Sequence, residues 1–163
     1  MSRPGRFAFA LLCVASLSCA AAPSVPRLDA RAWVLMDAAS GKVVVAHAGT
    51  ARLPPASLTK LMTAHLVSQA IRAGRLREAD LVSVSSRAAR QGGAKLGVAA
   101  GDRVAVADLM RGIAVLSGND ASVALAEHLA GSEENFARLM NREARRLGLA
   151  DTHFVNATGL DAP

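Results

Sequence analysis

Apolar residues cluster first in two short runs, "AWVLMD" at residues 32–37 and "KVVVAH" at 42–47, joined by Ala38-Ala39-Ser40-Gly41. Runs of that length, rich in β-branched residues and linked through a glycine, predict a β-hairpin. From 57 to about 72 the period becomes helical. Leu58, Leu61, Met62, Leu66 and Ile71 put apolar groups on more than one side, and Gly74 lies beyond the end. A helix apolar nearly all round belongs in a core. A short strand is predicted at 81–85, and the glycine-rich stretch "RQGGAKLGVAAGD" that follows reads as loop. Val106, Leu109, Met110, Ile113 and Leu116 then recur at helical spacing and stop at Ser117-Gly118-Asn119. A further helix is expected to start at Asn119 or Asp120, either of which can cap it. Ser132 can cap a last helix that carries Glu133 and Glu134 in its first turn and arginines in its last, the order the helix dipole favours, with Gly148 closing it.

The N-terminus breaks this pattern. Arg3 and Arg6 precede an apolar run at 7–17 and the small residues Ser18-Cys19-Ala20-Ala21-Ala22. That order is the order of a secretory signal, and the run is short for a membrane-stopping helix. Residues 1–22 are therefore expected to be removed on export to the periplasm or cell envelope, leaving 23–163 as the mature chain. An uncleaved anchor and lipidation at Cys19 are the alternatives; Ser16 stands where a lipidated cysteine normally has a leucine. Both cysteines, Cys13 and Cys19, leave with the signal, so the mature chain has no disulfide, thiolate metal site or cysteine nucleophile. The net charge of +6 falls to +4 without Arg3 and Arg6, and Arg142, Arg145 and Arg146 read as a solvated helix face. With one tryptophan and no tyrosine there is little on which to stack bases, and no nucleic-acid partner is expected.

Candidate chemistry starts at "PPASLTKLMT", 54–63. Ser57 and Lys60 are three apart on a helix and share a face. At a helix N-terminus the hydroxyl also lies among free backbone N–H groups, which favour negative charge developing on a substrate oxygen. Serine is a poor nucleophile until a neighbouring base takes its proton, and an amine kept neutral by burial is such a base. The chain has sixteen arginines and three lysines, so lysine here points to a cation that can lose its proton. Spacing alone equally allows an N-cap serine and a solvated lysine. Ser117-Gly118-Asn119 adds a second hydroxyl and an amide, and the two stretches together fit the S-x-x-K and S-x-N pattern of serine acyl-transfer enzymes. His47, His65, His128 and His153 lack ligand spacing, and no metal or other cofactor is expected. Gly92 and Gly93 read as turn formers at the rim of a cleft.

Beyond these motifs, "AWVLMDAASGKVV", "PPASLTKLMTAHLV", "LMRGIAVLSGNDASVALAEHLAGSEENFARLMNREARRLGL" and "DTHFVNATGLDAP" resemble consecutive segments of the D-alanyl-D-alanine carboxypeptidases, the low-molecular-mass penicillin-binding proteins. The resemblance runs from about residue 31 to the last. It implies an α/β (α+β) fold of the β-lactamase/transpeptidase type, a helical cluster packed on an antiparallel sheet that is incomplete in this chain. It implies Ser57 as nucleophile toward the peptidoglycan stem pentapeptide, Lys60 as general base, Ser117 as proton relay, and Asn119 as the residue that holds substrate and orients Lys60. β-Lactams would be covalent inhibitors. The family's third motif, Lys-Thr-Gly, does not occur in the sequence, so the chain is expected to be the N-terminal portion of the catalytic domain, with any membrane association through segments absent from it. A serine β-lactamase, a D,D-endopeptidase and a non-catalytic peptidoglycan-binding derivative remain as alternatives. Gly118, where β-lactamases usually carry aspartate, counts against the first.

Overall fold

The computed structural model describes residues 27–161. The expected signal at 1–22 lies outside them. The described residues fall into two compact units that divide between residues 51 and 52.

In the first unit, β1 (Trp33–Met36) pairs antiparallel with β2 (Val43–His47) in the register Trp33 to His47, Val34 to Ala46 and Leu35 to Val45, with a bulge before Met36. The turn explains its own sequence. The Asp37 carboxylate accepts the Ser40 N–H at 2.8 Å, and Gly41 takes φ +70°, a conformation cheap only for glycine, while donating to the Asp37 carbonyl.

The second unit comprises a single 3₁₀ turn (Ala56–Leu58), α1 (Thr59–Arg72), β3 (Leu81–Ser83), α2 (Ser86–Ala89), β4 (Arg103–Ala105), α3 (Val106–Leu116), α4 (Asn119–Ala130) and α5 (Glu133–Arg146). α4 lies at its centre. Residues 119–126 are all buried, and alanines at 121, 124 and 126 let α1, α2, α3, α5 and β3 approach its axis. One apolar cluster joins Val67, Val82, Leu109, Val123 and Leu125, and a second joins Met62, Ala126, Phe136 and Met140. Helices with small antiparallel ribbons are the expected α+β class.

Several expectations need correction. α1 is not apolar-buried all round. Leu58 and Leu61 are about two-thirds exposed (67% and 69%), whereas Thr59, Lys60 and Thr63 are buried. The polar face is affordable because the turn at 156–160 supplies acceptors: Thr63 Oγ1 donates to the Ala157 carbonyl at 2.8 Å. β4, which pairs with β3 as Val82 to Val104, and the four-residue α2 fall in stretches to which the sequence reading assigns no element, because three or four residues carry too little periodicity to register. Neither Asn119 nor Asp120 caps α4. Gly118 is the N-cap, without a side-chain bond, and both neighbouring side chains are spent on the 92–98 loop. Ser132 does cap α5, accepting from Asn135 N at 3.1 Å, and Gly148 follows it at φ +75°.

Arg142, Arg145 and Arg146 of α5 are exposed, as expected of a solvated face, and one of them is also paired. Arg146 donates twice to Glu143 (2.7 and 2.6 Å), and from α1 His65 Nε2 and Gln69 Nε2 approach the same carboxylate at 2.8 and 2.7 Å. Arg146 first, then His65 and Gln69, hold the Glu143 carboxyl at about 2, below its ordinary 4.5. A depressed carboxyl stabilises the fold above its unfolded value, and that contribution is lost as pH falls toward the folded one. Between pH 4.5 and 2 the melting temperature of the wild type is therefore expected to fall more steeply than that of Glu143→Gln. Parallel curves in that window would refute the coupling.

Candidate active site

The 3₁₀ turn ahead of α1 presents Ser57, and one helical turn later the chain places Lys60 beneath it. Lys60 Nζ lies 3.1 Å from Ser57 Oγ and donates to the Thr158 carbonyl at 2.9 Å. Lys60 is only 5% exposed, and burial pushes its pKa below the ordinary lysine value. A neutral Lys60 with one N–H on Thr158 can turn its lone pair toward the serine hydroxyl. Ala56, immediately before Ser57, has φ +46°, a strained left-handed conformation for a residue with a side chain. Such strain persists only where packing over-determines it, and here the packing partner is Gly159.

Gly159 has φ +80°, and a Cβ on it would stand 1.8 Å from the Ala56 carbonyl oxygen and 2.7 Å from Thr59 Oγ1. The Asn156 carboxamide oxygen shapes this turn by accepting from Thr158 N at 3.1 Å and Gly159 N at 2.7 Å. Gly159→Ala is expected to cost about 3 kcal/mol or more, because both the backbone conformation and the backbone-to-backbone approach are denied. Urea unfolding measures this; a variant within experimental error of wild type would show that the two segments do not meet so closely.

Ser117 ends α3 in the left-handed conformation (φ +55°, ψ +37°), which turns the chain into α4. A Cβ at Gly118 would meet Asp120 Oδ1 and Leu96 N, both at 3.1 Å, which favours glycine between the serine and the asparagine. Ser57, Lys60 and Ser117 share the wall of one open cavity of about 530 Å³, whose apolar side is formed by Leu61, Met110 and Ile113. Three of the four expected site residues thus line one space.

Asn119 is placed differently. It is 3% exposed, its Nδ2 donates to the Gly92 carbonyl at 2.7 Å, its backbone N–H donates to Ala94 O at 2.8 Å, and its Oδ1 is buried without a partner among the described residues. Its donor is thus committed to the glycine-rich loop, and Lys60 is oriented by Ser57 and Thr158. The neighbouring Asp120, which sequence reading offered only as a helix cap, is fully buried and accepts from Leu96 N and Gly97 N at 2.8 Å and from Val98 N at 3.3 Å. Burial pushes its carboxyl up, but these donors and Ala121 N outweigh burial and hold it below the usual range. Thr158 also went unnoticed, because it contributes a backbone carbonyl; the surrounding Asn-Ala-Thr-Gly run was the available turn signal. Among the described residues no group of three or more His, Cys, Asp or Glu is placed to hold a metal ion.

A buried lysine against a serine at a helix start, with a second serine across the cavity, can carry out acyl transfer: Ser57 Oγ as nucleophile, Lys60 as base, the hydroxyl of Ser117 within the same space. Comparison with known proteins agrees with that chemistry. The family profile described as D-alanyl-D-alanine carboxypeptidase matches residues 19–163. D-alanyl-D-alanine carboxypeptidase DacC of Escherichia coli is 46% identical over 96% of this chain and 40% of its own length, and DacF of Bacillus subtilis is 43% identical over 81% of this chain and 34% of its own. Among solved structures, DacD from Francisella tularensis superposes with a TM-score of 0.84 at 43% identity over 87% of this chain and 34% of its own, and penicillin binding protein 5 from Haemophilus influenzae with 0.83 at 40% identity over 87% and 42%. The chain thus spans about two fifths of the length of the curated relatives, as little as 34% for DacF. With the serine–lysine pair, the fold and the profile in agreement, this chain belongs to the D-alanyl-D-alanine carboxypeptidase family.

Proposed function

We propose that residues 23–163 are the N-terminal portion of the catalytic domain of an exported serine D-Ala-D-Ala carboxypeptidase, released from a signal at 1–22 into the periplasm. Ser57 Oγ attacks the carbonyl between the two terminal D-alanines of a peptidoglycan stem pentapeptide, and Lys60 takes the hydroxyl proton as the new C–O bond forms. Positive helix-terminal N–H groups, including that of Ser57, face the developing oxyanion. The C–N bond then breaks, and Ser117 passes a proton from the lysine side to the departing D-alanine amine. Water, deprotonated in turn by Lys60, hydrolyses the ester and frees Ser57. Asn119 makes no substrate contact in this reading: its side chain is buried with Nδ2 on the Gly92 carbonyl, and it shapes the glycine-rich loop instead.

The observation that carries this reading is the 3.1 Å approach of a buried, pKa-lowered lysine amine to Ser57 Oγ. The relatives' names, carboxypeptidase and penicillin binding protein, support the D-alanine terminus as substrate and β-lactams as covalent inhibitors. Benzylpenicillin, whose strained amide resembles the scissile bond, tests it directly. Treatment of the folded chain is expected to add one penicilloyl group by intact mass, and proteolytic mapping is expected to place it on the peptide containing Ser57. An unmodified folded chain, or an adduct elsewhere, would overturn the assignment for these residues.

A further inference from the structure

Glu133 opens α5, where its charge suits the helix N-terminus, yet the carboxylate is 6% exposed and points into the unit. Its Oε1 accepts the Ala157 N–H at 3.0 Å, and its Oε2 accepts Arg87 Nη2 from α2 at 2.8 Å. Ala157 is fully buried, and its carbonyl is held from the other side by Thr63 of α1. The peptide units on both sides of Ala157 are thereby pinned, by Glu133 on the N–H and by Thr63 on the carbonyl. The next residue, Thr158, offers the carbonyl that holds Lys60.

We propose that Glu133 is a positioning residue for the acyl-transfer reaction: its Oε1 fixes Ala157 so that the Thr158 carbonyl meets Lys60 and aims its amine at Ser57. This rests on the acyl-enzyme reading above. Removing the carboxylate leaves a buried N–H without an acceptor, and the turn must move to find one. A displacement of the order of an ångström at Thr158 releases Lys60 from the line to Ser57 Oγ, and misplacement on that scale costs reaction rate more than binding. Glutamine retains an oxygen for the Ala157 N–H. Its amide nitrogen displaces Arg87, which is half exposed and keeps Glu134 as its other partner at 2.7 Å. Aspartate keeps the charge but is one methylene too short to reach Ala157.

The test compares the full chain with Glu133→Ala, Glu133→Gln and Glu133→Asp, all confirmed folded. Benzylpenicillin acylation is followed by mass at several concentrations, to separate saturable binding from the acylation step, and amide exchange is read at Ala157. Glu133→Ala and Glu133→Asp are expected to slow the acylation step by roughly 10- to 100-fold with little change in binding, and to lose protection at Ala157. Glu133→Gln is expected to restore both. A folded Glu133→Ala or Glu133→Asp that acylates at the wild-type rate, or a glutamine variant as slow as either, would overturn the proposal. If Glu133→Ala does not fold, aspartate against glutamine makes the same comparison. If the wild-type chain takes no benzylpenicillin, the acyl-enzyme reading fails on its own. Amide exchange then decides the Glu133 contact: protection lost in alanine and regained in glutamine supports it, and protection kept in alanine refutes it.

Discussion

Ser57→Ala is expected to leave the chain unmodified by benzylpenicillin under conditions that fully acylate the wild type. The hydroxyl is the atom that forms the ester, so its removal leaves nothing for the lactam carbonyl to bond to, and the loss is complete rather than graded. The substitution should spare the fold. Ser57 is exposed, and its turn is held by backbone contacts, with the Leu58 N–H donating to the Pro55 carbonyl at 3.0 Å. Intact mass, read beside circular dichroism, checks both points. An adduct that persists in a folded Ser57→Ala chain would move the nucleophile elsewhere, with Ser117 the first residue to examine, since it lines the same cavity.

Lys60 gives the second large effect. Lys60→Arg keeps a cation at the position but removes the only group there able to accept a proton near neutral pH, and acylation is expected to fall on the order of 10²–10⁴-fold. Arginine is bulkier and Lys60 is buried, so Lys60→Met, close in length and without a charge, separates chemistry from packing. It leaves the buried Thr158 carbonyl without its donor, so it should be less stable than the wild type but still folded, and as slow. The wild-type rate should rise with pH as Lys60 loses its proton and level off below the range of an ordinary lysine, because burial lowers its pKa. Both variants should lack that rise. A folded Lys60→Met that acylates within a few fold of wild type would remove Lys60 from the mechanism.

Much of this arrangement is legible in the amino-acid sequence. The hairpin, α1, α3 and α5 are legible as elements, although of these helices only α5 carries the side-chain cap its sequence offers, and the spacing of Ser57 to Lys60 follows from local turn geometry, which needs no partner. The second cluster was legible as a helix stop with a glycine at its centre. Elements of three or four residues, β4 and α2, were not, because so short a segment acquires its conformation from the neighbour it pairs with. Asn119 and Asp120 read as caps because local sequence offers their side chains only the helix end. Loop residues 92–98, more than twenty positions upstream, compete for those side chains and win.

By itself, then, the sequence determined the local elements, the serine–lysine pair and, by resemblance, the family. These rest on interactions within a few residues, whose geometry is set by backbone dihedrals and side-chain period. Only the tertiary structure decided which face of α1 is buried, that Lys60 is desolvated, and that a backbone carbonyl 98 residues away holds it. It also decided that Glu133 reaches Ala157 and that Gly159 must lack a side chain to pass Ala56. Burial and backbone acceptors belong to no residue's identity. They arise when distant segments exclude water from one another, and no periodicity along the chain encodes which carbonyl will be left facing a buried amine.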